Sequence, residues 1–171
     1  MTTIHDDVEE RLTALGIILP EASGPAASYA NYVFAGGLLF VSGKGPSSKL
    51  RGKLSSDFTT EEGYLFAREA AIEVLAVVKS AVDSLSLVKQ VVKAQGFVNA
   101  DPQFDEHHKV LNGFSDVMLE VFGEKGVHAR SVFGACSLRE QLPIIIDSIF
   151  EVSAFGSEHK CAEKASSITF F

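Results

Sequence analysis

Between Tyr64 and Leu85 the residues Tyr64, Ala67, Ala71, Val74, Val78, Val82 and Leu85 recur at spacings of three or four. That stripe predicts a long amphipathic helix, and a chain that carries one must also supply an apolar layer to cover it. Thr59, with Glu62 three residues later, forms a capping-box pattern at its start, and Arg68, Glu69 and Lys79 fall off the stripe. A second helix is predicted over Asp105–Phe122, with Leu111, Phe114, Met118 and Val121 on its buried side and Gly123 at its stop. A third, short helix is predicted over Thr3–Leu15, where Ile4, Val8, Leu12 and Leu15 share a face and Gly16 terminates it.

The covering layer comes from extended segments. Tyr29 to Gly43 reads as two short strands around the turn Gly36–Gly37, followed by a surface connection over Gly43–Ser56. Valine-rich Val88–Val98 is a third strand. Val127–Cys136 and Pro143–Phe155 are two more, joined by the loop Ser137–Leu142. The predicted order is helix, two strands, long helix, strand, helix, two strands. Hairpins at both ends and two main helices imply an α+β fold, a mixed sheet with helices on one face. The other face then exposes many Val, Ile and Phe side chains, so self-association is expected.

With 171 residues, one domain is expected: an N-terminal helix over 3–15, a core over 29–155 and a tail over 156–171. The tail is polar until Ile168-Thr169-Phe170-Phe171, a stray strand or an anchor on the body. A net charge of −7 argues against a protein that grips nucleic acid. Lys44, Lys49, Arg51 and Lys53 sit close together, and a solvated loop is the expected reading. Met1–Glu10 is acidic without an apolar core, and no apolar run approaches the ~20 residues a membrane span needs. A cytoplasmic protein is therefore expected, its two cysteines, Cys136 and Cys161, reduced. Cys136 lacks an evident His partner and reads as a buried thiol. His107, His108 and His128 form no metal-ligand pattern, so neither metal nor other cofactor is expected.

Three stretches together resemble the reactive-intermediate deaminase (RidA/YjgF) family. The first is Tyr29-Ala30-Asn31-Tyr32-Val33 with Leu39-Phe40-Val41-Ser42-Gly43 after it. The second is Phe97-Val98-Asn99-Ala100, then Phe104, then Asn112-Gly113-Phe114-Ser115-Asp116. The third is His128-Ala129-Arg130-Ser131, with Leu138 eight residues beyond Arg130 and the strand through Asp147–Val152. The resemblance covers Tyr29–Val152 and is closest to the longer members with an N-terminal helix. It implies a chorismate-mutase-like fold, a homotrimer whose sheets form a central barrel, and a ligand cleft at each subunit interface.

It also implies a chemistry. Such proteins hydrolyse small 2-imino acids, or the tautomeric enamines, to 2-keto acids and ammonia without a cofactor. In this resemblance Arg130 anchors the substrate carboxylate, and a guanidinium fork suits that task because it makes two parallel hydrogen bonds. A salt bridge at a subunit interface is the structural alternative for Arg130. Tyr29 matches the cleft tyrosine, or is an ordinary packed ring. Ser42 and Gly43 match the strand end that meets the substrate, or are a plain turn. The position of the family's cleft glutamate holds Ile145. Asp147, two residues on, shares its strand face, so a register shift of two presents Asp147 instead; the other reading is an interface contact. Asn112 and Ser115, one turn apart, both stand near the place of the cleft asparagine. Lys44 replaces a glutamine, and its cation either favours anionic ligands or faces solvent. Two further readings are a non-catalytic module binding a metabolite in the same cleft and the endoribonuclease activity ascribed to some members. The expected partners are a small carboxylate-bearing metabolite and further copies of the chain, with neither nucleic acid nor membrane.

Overall fold

The computed structural model describes residues 7–153. Thr59 caps α2 (Thr60–Val82), accepting from the Glu62 backbone N–H while the Glu62 carboxylate accepts from the Thr59 N–H at 2.8 Å. The box read in the sequence is thus closed in both directions, satisfying donors that a helix start leaves unpaired. Leu85, the last residue of the stripe, lies past α2 in a short 3-10 turn and is fully buried. α3 (His107–Phe122) buries Leu111, Phe114, Met118 and Val121 as expected and stops at Gly123, where φ is 61°. α1 (Asp7–Ala14) buries Val8 and Leu12 and is tied to α2 by a Glu9–Lys79 ion pair of 2.8 Å, whereas Leu15 is exposed. Ile4, Cys161 and the 156–171 tail lie outside the described residues.

β1 (Tyr32–Ala35) and β2 (Leu38–Lys44) form the first hairpin. Its turn needs left-handed backbone at two successive residues, and Gly36 and Gly37 supply it with φ of 57° and 78°. β3 (Val88–Asn99), β4 (Ala129–Ala135) and β5 (Ile144–Val152) complete a five-stranded sheet in the order β1-β2-β5-β3-β4. Only β3 and β4 run parallel, joined through α3 as a β-α-β unit.

The expected C-terminal hairpin is absent: β5 crosses over β3 and enters between β2 and β3, antiparallel to both. The reason is composition. β5 carries Ile144, Ile146 and Phe150 on the helix-covered face, all fully buried, and Ile145 and Ile149 on the other. A strand apolar on both sides suits a central place, and β4, with its exposed Arg130 and Gly134, suits an edge.

Two further expectations are corrected. Cys136 is exposed, because β4 ends at Ala135 and the thiol lies in the loop beyond the edge strand. Lys44 is no solvated loop residue: it closes β2 and is 5% exposed. A bulge causes this. Val41 pairs with Ser148 but Lys44 with Ile146, so three steps on β2 match two on β5 and the alternation reverses. Lys44 is turned beneath the 23–31 loop, where Nζ donates to Asn31 Oδ1 at 2.8 Å and to Ser23 O at 3.1 Å. Within the predicted surface connection Leu54 is also fully buried, bridging to Ala100.

The helices lie against one face of the sheet, and α3 approaches α2 closely at Gly113. A Cβ there would stand 2.0 Å from the Tyr64 carbonyl oxygen and 3.0 Å from the Ala67 Cβ. Gly113→Ala gains helix propensity but must push the helices apart, and overpacking of this kind costs about 1–3 kcal/mol. A Tm several degrees below wild type is expected by calorimetry.

Burial pushes the Lys44 ammonium below its ordinary pKa of 10.5; Glu73 opposes the shift and Arg139 adds to it. Between the lowered folded value and 10.5 the unfolded chain binds the extra proton, so this group makes stability rise with pH there. Urea midpoints measured at about pH 8 and about pH 10 should rise more for wild type than for Lys44→Met.

Candidate functional site

Arg130 stands on β4 opposite Ala94 of β3, on the face that the helices cover, but the strand is at the sheet edge and the side chain stays exposed. Two contacts with α3 hold it. Nη1 donates to Ser115 Oγ at 3.0 Å, and Nη2 donates to the His108 carbonyl at 3.3 Å. A guanidinium has five N–H donors, so three remain, and no acidic side chain among the described residues forms an ion pair with it.

The hydroxyl that holds Arg130 is itself held. Ser115 Oγ lies 3.1 Å from His128 Nε2, and His128 Nδ1 lies 2.6 Å from the Gly126 carbonyl. The Phe114 ring meets the imidazole edge-on at 6.0 Å. Burial holds the His128 pKa below its ordinary 6.5; the Gly126 carbonyl opposes the shift and the Arg130 charge adds to it. A neutral imidazole is the outcome near neutral pH. Of the two helix residues considered from sequence, Ser115 reaches Arg130. Asn112 lines a separate cavity of about 430 Å3 with Tyr64, Leu65 and Lys109. In the sequence His128 stands out only as part of the motif around Arg130 and as one of three histidines without a metal-ligand pattern. Its place two residues before Arg130 was the signal available, and its hydrogen bonds depend on where α3 packs.

The other expected residues lie elsewhere. Tyr29 precedes β1 in a loop; its ring is 41% exposed and its hydroxyl oxygen accepts from the Ala26 N–H at 3.1 Å. Ser42 Oγ donates to the Ala30 carbonyl at 2.6 Å, and the Ser42 N–H bonds the Asn31 carbonyl, so this residue fastens the Tyr29 loop to β2. A Cβ on Gly43 would meet Ile145 Cγ2 at 2.6 Å, so Gly43 is the residue that lets Ile145 lie flat on β2. β5 and β3 separate β2 from β4, about 14 Å at the usual strand spacing. One chain therefore does not bring Tyr29, Ser42 and Gly43 to Arg130.

Asp147 is on the opposite face of the sheet from Arg130, level with Gln95 and Ser131. Its pKa is raised by burial, with Lys93 opposing. Around it lie Ile145, Ile149, Phe97 and the exposed Val33, Phe40 and Phe133, and the Phe97 and Phe133 rings stack at 6.1 Å. A cavity of about 540 Å3 opens between the starts of α2 and α3, but Asp57, Glu61, Asp105 and Glu106 line it, which disfavours an anion. The described residues contain no group of three or more His, Cys, Asp or Glu side chains placed to hold a metal, and none of their helices is long and apolar enough to cross a membrane.

Comparison with known proteins places this geometry. Residues 9–146 match the family described as "YjgF/chorismate mutase-like, putative endoribonuclease". Protein TCP17 of Trypanosoma cruzi is 39% identical over 151 residues, covering 85% of this chain and 94% of TCP17. The crystal structure of Atu1372 from Agrobacterium tumefaciens, described as of unknown function, superposes with a TM-score of 0.80 at 37% identity, over 86% of this chain and 94% of that one. A Shewanella oneidensis protein described as a "putative endoribonuclease" gives a TM-score of 0.82 at 33% identity, over 85% and 99% of the two chains. The three-helix, five-strand α+β architecture is the one this family shares, and the chain belongs to the YjgF/chorismate-mutase-like family.

Proposed function

We propose that the protein hydrolyses small 2-imino acids to 2-keto acids and ammonia, with Arg130 holding the substrate carboxylate in a cleft between copies of the chain. The observation that carries this is the state of Arg130. It is an exposed guanidinium fixed by two contacts to α3, with three N–H donors left and no carboxylate partner among the described residues. A structural salt bridge within the chain would have used those donors. A substrate carboxylate can take two of them in the fork geometry.

Assembly supports the reading from the other side. The uncovered sheet face exposes Val33, Phe40 and Phe133, 57%, 40% and 51% accessible, beside the half-buried Ile145, Ile149 and Phe97. A homotrimer that buries this face against further copies removes the apolar surface from water. It also gives the only route by which Tyr29, Ser42 and Gly43, on the far edge of the sheet, can approach an Arg130. Asp147 reaches a ligand at Arg130 by the same route, from another copy. The hydrolysis asks for few groups, since an imine carbon already attracts water and a fixed carboxylate sets its orientation.

Ile145, packed on Gly43 where the resemblance places a glutamate, favours a second reading: a module that binds the carboxylate without turnover. Ketoacid release from freshly generated 2-iminobutanoate separates the two. Acceleration by wild type, with kcat/KM reduced roughly 100-fold or more in Arg130→Ala, is expected, because two charge-assisted hydrogen bonds at about 1.5–3 kcal/mol each are removed. Arg130→Lys should recover part of the loss, keeping the charge without the fork. Retained carboxylate binding with no acceleration establishes the binding module instead. Sedimentation equilibrium should give three times the chain mass, and a clean monomer removes the cleft.

A further inference from the structure

Hydrogen-bond direction around Ser115 can be worked out from its neighbours. The Gly126 carbonyl can only accept, so His128 Nδ1 carries the proton that points at it across 2.6 Å. In the neutral imidazole Nε2 is then an acceptor, and the group 3.1 Å from it, Ser115 Oγ, must donate. Arg130 Nη1 can only donate, so it fills a lone pair of the same oxygen at 3.0 Å. The result is a directed chain, Arg130 to Ser115 to His128 to the Gly126 carbonyl. A hydroxyl bonded to an imidazole whose far nitrogen is held by a third group is the arrangement that activates hydroxyls for proton transfer. Here the hydroxyl also touches the guanidinium proposed to hold the carboxylate, so a carboxylate on the remaining N–H groups of Arg130 would bring its neighbouring carbon toward Ser115.

We propose that Ser115 and His128 move the proton during imine hydrolysis, in the same chain as Arg130 and in place of the glutamate whose position Ile145 occupies. This inference rests on the deaminase reading. Water adds to the imine carbon and the C–O bond forms as the C=N π pair moves to nitrogen. The water proton passes to Ser115 Oγ, whose own proton goes to His128 Nε2, and the relay delivers one proton to the nitrogen. The carbinolamine hydroxyl then gives up its proton by the same path to the nitrogen. The C–N bond breaks, its electron pair leaves with ammonia, and the carbonyl forms. No oxidant, reductant or co-reactant beyond water takes part.

The surroundings of the imidazole suit a base that stays neutral. β4 faces it with Arg130, whose charge disfavours protonation. α3 faces it with Phe114 and Ser115, which do not titrate, and the 123–126 turn with the Gly126 carbonyl. From β3, Gln90 bonds the neighbouring Val127 carbonyl. Burial acts in the same direction as Arg130, so the base is available below the pH at which a free histidine would be.

The test compares wild type, Ser115→Ala and His128→Gln on freshly generated 2-iminobutanoate across pH, with 2-oxobutanoate binding measured separately. Loss of about 100-fold or more in kcat is expected for both variants. His128→Gln, which leaves the Ser115–Arg130 contact in place, keeps its 2-oxobutanoate affinity, whereas Ser115→Ala weakens it because a contact that holds Arg130 is lost. The wild-type kcat should fall on the acid side with a limb that His128→Gln lacks. Should wild type hydrolyse the imine while His128→Gln keeps its kcat and its acid limb, the relay is overturned and the deaminase reading stands. No acceleration by wild type overturns both. Nitrogen-15 NMR of the unliganded wild type gives a test independent of variant folding: a proton on Nδ1 near neutral pH is expected, and a proton on Nε2 instead overturns the relay.

Discussion

The site depends on how closely α3 lies against α2. At Gly113 the Tyr64 carbonyl occupies the place a side chain would take, so the helix axes approach to a distance that no larger residue permits. From that contact the position of α3 over the sheet follows, and with it the positions of Ser115 and the His108 carbonyl, the two groups that hold Arg130. A displaced α3 would still bury Leu111 and Phe114 among apolar neighbours, because hydrophobic burial has no direction. It would not keep a 3.0 Å bond to a guanidinium. Packing here matters more for aim than for the bulk of stability.

Much of this architecture was legible in the sequence, and the limits of legibility are physical. The α2 stripe, its Thr59–Glu62 box and the Gly36–Gly37 turn are local devices, fixed by residues a few positions apart, and each is present as read. Strand order is not local. Nothing within β4 or β5 states that β3 will pair with both; that follows from the crossover through α3 and from β5 being apolar on two sides. Lys44 was misplaced for a related reason: it was counted with the loop after Gly43, whereas β2 runs on through it and the bulge between Val41 and Lys44 turns its side chain inward. Cys136 looked buried because it was counted within a strand that stops one residue earlier.

The site shows the same division. Arg130 could be singled out by its motif, and its partner Ser115 was one of two candidates on a helix face. The bond between Ser115 and His128 links a helix to the residue before an edge strand, 13 positions away, and no periodicity reports it. On the far side of the sheet, Ser42 and Lys44 both act on the 23–31 loop, one through the Ala30 carbonyl and the other through Ser23 and Asn31. That loop carries Tyr29, so the aromatic ring is held by a buried cation and a spent hydroxyl instead of by packing alone. Each half of the proposed cleft is thus fastened by hydrogen bonds within one chain, which lowers the cost of ordering it around a ligand.

The sheet order has a consequence for the way the protein is made. β5 is the last of the five strands to leave the ribosome, yet it lies at the centre of the sheet. Until it arrives, the β1–β2 hairpin and the β3-α3-β4 unit share no ladder, and each exposes a strand edge that β5 is due to occupy. Between the completion of β4 at Ala135 and the arrival of β5, the nascent chain therefore holds two strand pairs with no ladder between them. Its native sheet closes in one late step that joins residues about 100 positions apart, the kind of long-range pairing that slows folding and leaves strand edges open to other chains. Chaperone contact during that interval would protect the two edges, and a stop codon a few residues before Ile144 would release a chain with all three helices and four strands but no ladder joining the β1–β2 pair to the β3–β4 pair.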